Sequence, residues 1–177
     1  MRRWVIAAVA ATIILSISLP TLAYLIFVEH WGDPNYNWGD KGKLTLTLTA
    51  ERTTMNLNGT LNLTATVKNV GLTNVRLWLF DSLELNLKDS NGTEIIYRGP
   101  SPQIPEDASD RDLTDFKAGG TLTFRPIITK DIFSLKANET YTVYAHFCSG
   151  GRGMESHFML PYWDGGLDSN TIVFKVI

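Results

Sequence analysis

Two patterns of hydrophobic and polar positions divide the chain. Residues 4–28 read WVIAAVAATIILSISLPTLAYLIFV, without a single charged side chain. A helix rises about 1.5 Å per residue, so some 20 apolar residues cross a ~30 Å hydrocarbon core. The run predicts one transmembrane helix, with Pro20 a tolerable kink. Arg2 and Arg3 precede it and predict a cytoplasmic N-terminus by the positive-inside rule. Trp4 at one end, and Trp31, Tyr36 and Trp38 beyond the other, fit interfacial belts. A cleaved signal peptide is the alternative, with Thr21-Leu22-Ala23 as its small-residue site. Tyr24-Leu25-Ile26-Phe27-Val28 continues the apolar run past that site and favours a retained anchor. Either fate exports the rest of the chain.

After residue 42 the period changes to two. Lys43-Leu44-Thr45-Leu46-Thr47-Leu48-Thr49 sets leucines on one face and threonines on the other, the pattern of a half-buried strand. Leu61, Leu63, Ala65 and Val67 alternate with Asn62, Thr64, Thr66 and Lys68 in a second strand. Residues 75–80 and 83–88 predict a third, broken by a bulge at Asp81-Ser82. Asn91-Gly92 is a strong hairpin signal, with residues 94–98 returning from it. Residues 121–129, 140–148 and 171–177 complete the set, and Pro126 predicts an edge or bend. Residues 131–135 fit one helical turn. The expected fold is all-β, an immunoglobulin-like antiparallel β-sandwich of seven to eight strands behind one N-terminal transmembrane helix. A small barrel is the alternative. The expected organisation is anchor 1–28, juxtamembrane linker 29–42 (dense in Gly, Pro, Asn and Asp) and extracytoplasmic sandwich 43–177.

Composition narrows the partners. The chain has 177 residues and a net charge of −2. Beyond Arg2 and Arg3 it carries 14 Lys and Arg against 18 Asp and Glu, which argues against nucleic acid as a partner. Cys148 is the only cysteine, so no intrachain disulfide forms. The expected partners are membrane lipid, through the N-terminal helix, and other cell-surface or envelope proteins.

Several turns carry a family resemblance. Val67-Lys68-Asn69-Val70-Gly71 resembles the V-x-N-x-G turn of CARDB-type adhesion modules. Residues 83–92 followed by Tyr97, then Lys117-Ala118-Gly119-Gly120 and Tyr141-Thr142-Val143, are similar to the intracellular proteinase inhibitor family. Residues 167–174 resemble the last strand of many such sandwiches. The resemblance implies fold and little of function. No inhibitory motif is matched, and an exported location departs from the inhibitor family.

Candidate chemistry is sparse. His146, Cys148, Met154, His157 and Met159 are the ligand types of a copper site on a β-sandwich, but Cys148 and His157 are nine positions apart, too many for the tight ligand loop of cupredoxins. A Cys148 nucleophile with His146 or His157 as base lacks any orienting signature. Asp107, Asp110 and Asp112 lie on an acidic loop that either binds Ca²⁺ or is simply solvated. Asn58, Asn62, Asn91 and Asn138 head N-x-T sequons, candidate glycosylation sites on an exported domain or chance products of a Thr- and Asn-rich chain. Phe158, Tyr162 and Trp163 sit on a long loop, either as a binding surface or as a cap on the core. No catalytic residue, metal site or cofactor is assigned. The expected function is a non-catalytic, membrane-anchored binding or structural module. A membrane-presented protease inhibitor and an exported copper or redox protein centred on Cys148 are the alternatives.

Overall fold

The computed structural model describes residues 43–100, 105, 108–149, 160 and 162–177. The expected anchor and linker lie outside these residues. Among the described residues no helix is long and apolar enough to cross a membrane. Asn37–Ile177 forms a compact unit that holds them all.

The described residues form twelve strands: β1 (Leu44–Ala50), β2 (Thr54–Met55), β3 (Leu61–Asn69), β4 (Val75–Trp78), β5 (Leu83–Asp89), β6 (Glu94–Ile95), β7 (Leu113–Phe116), β8 (Thr121–Phe124), β9 (Ile127–Ile128), β10 (Thr140–Ser149), β11 (Gly165–Asp168) and β12 (Ile172–Val176). One sheet runs β1-β3-β8, with β9 also on β3. The other runs β2-β12-β10-β5-β6, with β11 also on β10. A ribbon of β4 and β7 is separate. Every pairing between these strands is antiparallel except that of β2 with β12.

The period-two pattern does what it predicts. Leu44, Leu46 and Leu48 of β1, and Leu61, Leu63, Ala65 and Val67 of β3, are buried. The other sheet answers with Tyr141, Val143, Ala145 and Phe147 of β10 and Phe174 and Val176 of β12, in the same core. Each such large apolar side chain contributes about 1.5–3 kcal/mol on leaving water. Tyr141 stacks on Phe174 with centroids 5.6 Å apart. Its hydroxyl accepts the Lys136 main-chain N–H at 2.8 Å and donates to Glu139 Oε2 at 3.1 Å. A tyrosine near the start of a long strand, bonded to backbone just upstream, is the tyrosine corner of immunoglobulin-like sandwiches.

The turn that opens the family resemblance has a physical centre. Asn69 is fully buried. Its Oδ1 accepts the Gly71 N–H at 3.0 Å, and its Nδ2 donates to Thr73 O at 2.9 Å and Phe116 O at 3.3 Å. The same residue's backbone bonds to Gly119 and Gly120. One side chain thus ties the β3–β4 turn to the β7–β8 turn.

The two sides of the sandwich differ. On one, Asn170 accepts the Leu48 N–H at 2.9 Å and donates to Leu48 O at 3.0 Å. Its amide pairs with β1 as a neighbouring strand would, and it closes that side. On the other side lie β5 of one sheet and β8 with β9 of the other. Pro126 interrupts that second edge, as expected, and its carbonyl still accepts the Leu63 N–H at 3.0 Å.

Three expectations need correction. Residues 75–88 are not one bulged strand: β4 and β5 join different sheets. Asp81 between them adopts φ 48°, and Ser82 Oγ donates back to Leu79 O at 3.1 Å, which makes a turn between two strands rather than an inserted residue. Residues 131–135 make no helix; the Phe133 N–H donates to Thr129 O at 3.0 Å and closes one isolated turn that begins at Thr129, two residues earlier than expected. The strands outnumber the expected seven to eight because β2, β7 and β11 lie in stretches read as loops and residues 75–88 and 121–129 each form two strands. The Asn91-Gly92 hairpin is as expected. Gly92 takes φ 82°, and Asp89 Oδ1 accepts the Asn91 and Thr93 N–H groups, each at 2.9 Å.

Candidate binding groove

Of the expected binding-loop aromatics, Trp163 belongs to the core. It is 6% exposed, stacks on Phe147 with centroids 6.0 Å apart, and its main-chain N–H donates to Arg76 O at 2.8 Å. An apolar ring facing Phe147 is buried because the strands leave room for it beside Gly165, where a Cβ would come within 2.8 Å of the indole. Tyr162 is half-buried, and Phe158 lies outside the described residues. Trp78, whose face the alternation leaves open, is buried with Ala108 in a small second cluster beside Phe80 and Leu113.

His146 and Cys148 share the outward face of β10, as parity requires. Met154, His157 and Met159 lie outside the described residues. His146 Nδ1 lies 2.7 Å from Asp168 Oδ1, its register partner on β11. Gly166 gives the ring room, since a Cβ there would come within 2.9 Å of the imidazole. Burial pushes the Cys148 thiol up from its ordinary range, and the negative charges of Glu84 and Asp81 push it further. That is the reverse of an activated nucleophile, whose thiolate is stabilised. Among the described residues no cluster of three or more His, Cys, Asp and Glu is arranged to hold a metal.

In the acidic loop, Asp110 and Asp112 lie in a single 3-10 turn. The Asp112 carboxylate accepts the Ser109 N–H at 2.9 Å, and Asp110 Oδ1 accepts the Leu160 N–H at 2.9 Å. Both carboxylates thus hold the backbone; Asp107 lies outside the described residues. The sequon residues Asn58, Asn62, Asn91 and Asn138 are all exposed. Asn58 accepts a hydrogen bond from Lys130 Nζ, Asn62 donates to Glu51, and Asn138 has φ 63°.

Among the described residues, a groove with room for a partner lies on the side formed by β5, β8 and β9. β6 pairs with β5 only at Leu87↔Ile95 and Lys88↔Glu94. The chain then leaves: Tyr97 bridges to Phe133, and the Arg98 N–H donates to Ile132 O at 2.8 Å. The departure opens a groove of about 690 Å³ between residues 83–87, residues 95–97 and Pro126, Ile127, Ile132 and Phe133. Large apolar side chains are exposed at it: Ile96 by 77%, Tyr97 by 51% and Ile127 by 44%. Its charged lining is Asp81, Glu84 and Glu94, with no Lys or Arg. The groove thus combines exposed apolar side chains with polar and acidic ones in a concave site, the kind of surface where ligands bind.

Alternation alone passes over this groove, because it looks for what is buried. The available signal is Ile95-Ile96-Tyr97, three apolar residues in a row. In a period-two strand adjacent residues cannot both face the core, so one isoleucine must look elsewhere.

No protein-family model and no curated protein matches the chain. Among solved structures it is similar to the CARDB domain of a Pyrococcus furiosus protein, at 13% identity and TM-score 0.40, over 78% of this chain and 90% of that one. It is also similar to the sporulation control protein Spo0M of Bacillus subtilis, at 10% identity and TM-score 0.44, over 76% of this chain and 49% of that one. A third likeness is to the alkylpurine DNA glycosylase AlkC of Pseudomonas fluorescens, at 13% identity and TM-score 0.38, over 75% of this chain and 31% of that one. The CARDB-type module named from the turn residues is therefore among the solved structures this chain is similar to. The neighbours differ in their own roles.

Proposed function

We propose that this protein is a non-catalytic binding module, anchored by its N-terminal apolar run and displayed outside the cytoplasm, serving adhesion, envelope architecture or a membrane complex as an accessory subunit. The groove carries the binding half of this reading. Ile96, Tyr97 and Ile127 lie exposed around one concavity, where a monomeric surface usually hides such residues. Export is supported by Arg2, Arg3 and residues 4–28. The raised thiol of Cys148 and the structural use of Asp110 and Asp112 favour binding over catalysis or metal chemistry.

The test uses a photo-crosslinking amino acid placed at Ile96 in the full-length protein in its native membrane. The same label at Thr45, exposed on the outer face of β1, is the control. The reading expects one or a few discrete crosslinked proteins from Ile96 and none from Thr45. Identical patterns from both positions would refute the groove as the binding surface. A crosslinked partner that is cytoplasmic would refute the location.

A further inference from the structure

The groove has a wall made of main chain, and its polarity can be worked out. The Asp89 N–H donates to Thr93 O, on the β6 side of β5, while Ser82 O accepts the Cys148 N–H, on the β10 side. In a strand, successive residues direct their peptide groups to alternate sides. Counting from both ends gives the same result: Leu83, Leu85 and Leu87 direct N–H and C=O away from β10. β6 takes up Leu87 and then departs. Among the described residues no strand pairs with Leu83 or Leu85 on that side. Four residues of open edge, roughly 13 Å, remain. An unpaired edge of this kind is a template for another strand.

The side chains along the edge set a pattern. Leu83 and Leu85 face inward and pack at the margin of the core, with Ile95 beside them. Glu84 faces outward, and Glu94, opposite Lys88, shares that face. On its β10 side Glu84 is registered with His146, whose ring is already committed to Asp168. A strand added to this edge would therefore set alternate residues against apolar surface and against carboxylate.

The geometry points to β-strand addition: the groove takes an extended segment of another protein, antiparallel to β5 as β6 is, with branched apolar residues alternating with Lys or Arg. This deepens the proposed binding function and rests on it. Charge selects this occupant over a second copy of the same chain. Two β5 edges paired antiparallel would bring Glu84, Glu94 and Asp81 of both copies together, and like charges facing each other across strands repel.

The test uses the full-length protein in detergent and fluorescent, end-capped hexapeptides read by anisotropy. One peptide alternates Val and Lys, and a second alternates Val and Glu. Two more are the Val-Lys peptide N-methylated at every Val or at every Lys. In an antiparallel pair the residues opposite Leu83 and Leu85 share their inward side and direct their own N–H groups at β5. These are the valines. Methylation at Val is expected to weaken binding about ten-fold or more, through lost main-chain bonds, and methylation at Lys to leave it nearly unchanged. Glu84→Lys, at an exposed position, is expected to weaken the Val-Lys peptide about five-fold and to strengthen the Val-Glu peptide.

Equal binding of all Val-Lys peptides would overturn the inference, since charge alone would then explain it. Sensitivity to methylation at Lys would overturn the antiparallel register. Concentration-dependent dimers that peptide does not dissociate would overturn the choice of occupant. Failure of every peptide while the Ile96 crosslink still captures an extracytoplasmic protein would sink strand addition and leave the binding function standing.

Discussion

Replacing Asn69 by alanine removes three side-chain hydrogen bonds at once from a position with no solvent exposure. The two short bonds, to Gly71 N and Thr73 O, are worth about 1 kcal/mol each net, and the 3.3 Å bond to Phe116 O less. Thr73 and Gly71 are only half-buried, so water recovers part of the loss there, whereas the deeper Phe116 carbonyl loses its Asn69 partner. The expected cost is about 2–3 kcal/mol. For a domain of this size that lowers the melting temperature by roughly 6–10 °C. Asn69→Asp sharpens the test. A carboxylate still accepts from Gly71 but turns an acceptor toward the Thr73 and Phe116 carbonyls, so it is disfavoured unless protonated. Its folded-state pKa is then raised, and the variant should lose stability as pH rises through the range where the carboxyl ionises, relative to wild type. Thermal unfolding of both variants between pH 4 and 8, followed by circular dichroism, reads this out. A cost below about 0.5 kcal/mol for Asn69→Ala, or a pH-independent difference for Asn69→Asp, would refute the account of this turn.

Other predictions rest on the same logic. Trp163→Ala should cost about 3–5 kcal/mol in denaturant unfolding, because it empties a stacked core site; a surface aromatic would cost almost nothing. Alkylation of Cys148 should require higher pH in the folded protein than in urea, and Glu84→Gln should move its midpoint back down, as mass spectrometry of iodoacetamide adducts would show. Because the unfolded thiol ionises first, stability should also fall as pH rises above the ordinary cysteine range. If the domain is exported by a glycosylating host, endoglycosidase should shift its mobility, and Asn91→Gln should remove one step without loss of fold, since that side chain is exposed in a hairpin held by Asp89.

Legibility in the sequence tracked period and turn chemistry. β1, β3 and β10 announce themselves because every second side chain enters one core, and Asn91-Gly92 and Pro126 mark their turn and break through backbone constraints that act locally. β4 and β5 read as one strand because nothing in their composition records that the chain passes from one part of the fold to another at Asp81. β7 was hidden among aspartates, where exposed Thr114 and Asp115 disguise a strand fully buried only at Phe116. Trp163 could be placed only once the space beside Phe147 was known. The groove was least legible, since it arises from where β6 stops pairing, and a strand's departure has no residue signature.

The amide of Asn170 joins β1 to the β11–β12 turn across 122 residues. During synthesis β1 emerges well before Asn170. Until then, among the described residues, the outer edge of β1 has neither strand nor amide beside it, and its uncharged Leu-Thr repeat is the kind of segment that seeds intermolecular strands. Lys43, Glu51 and Arg52 stand at its two ends and place charge where a growing stack would have to repeat it. The order of translation thus makes the β11–β12 turn a safeguard for β1. Chains stalled before residue 170 should be the ones that aggregate.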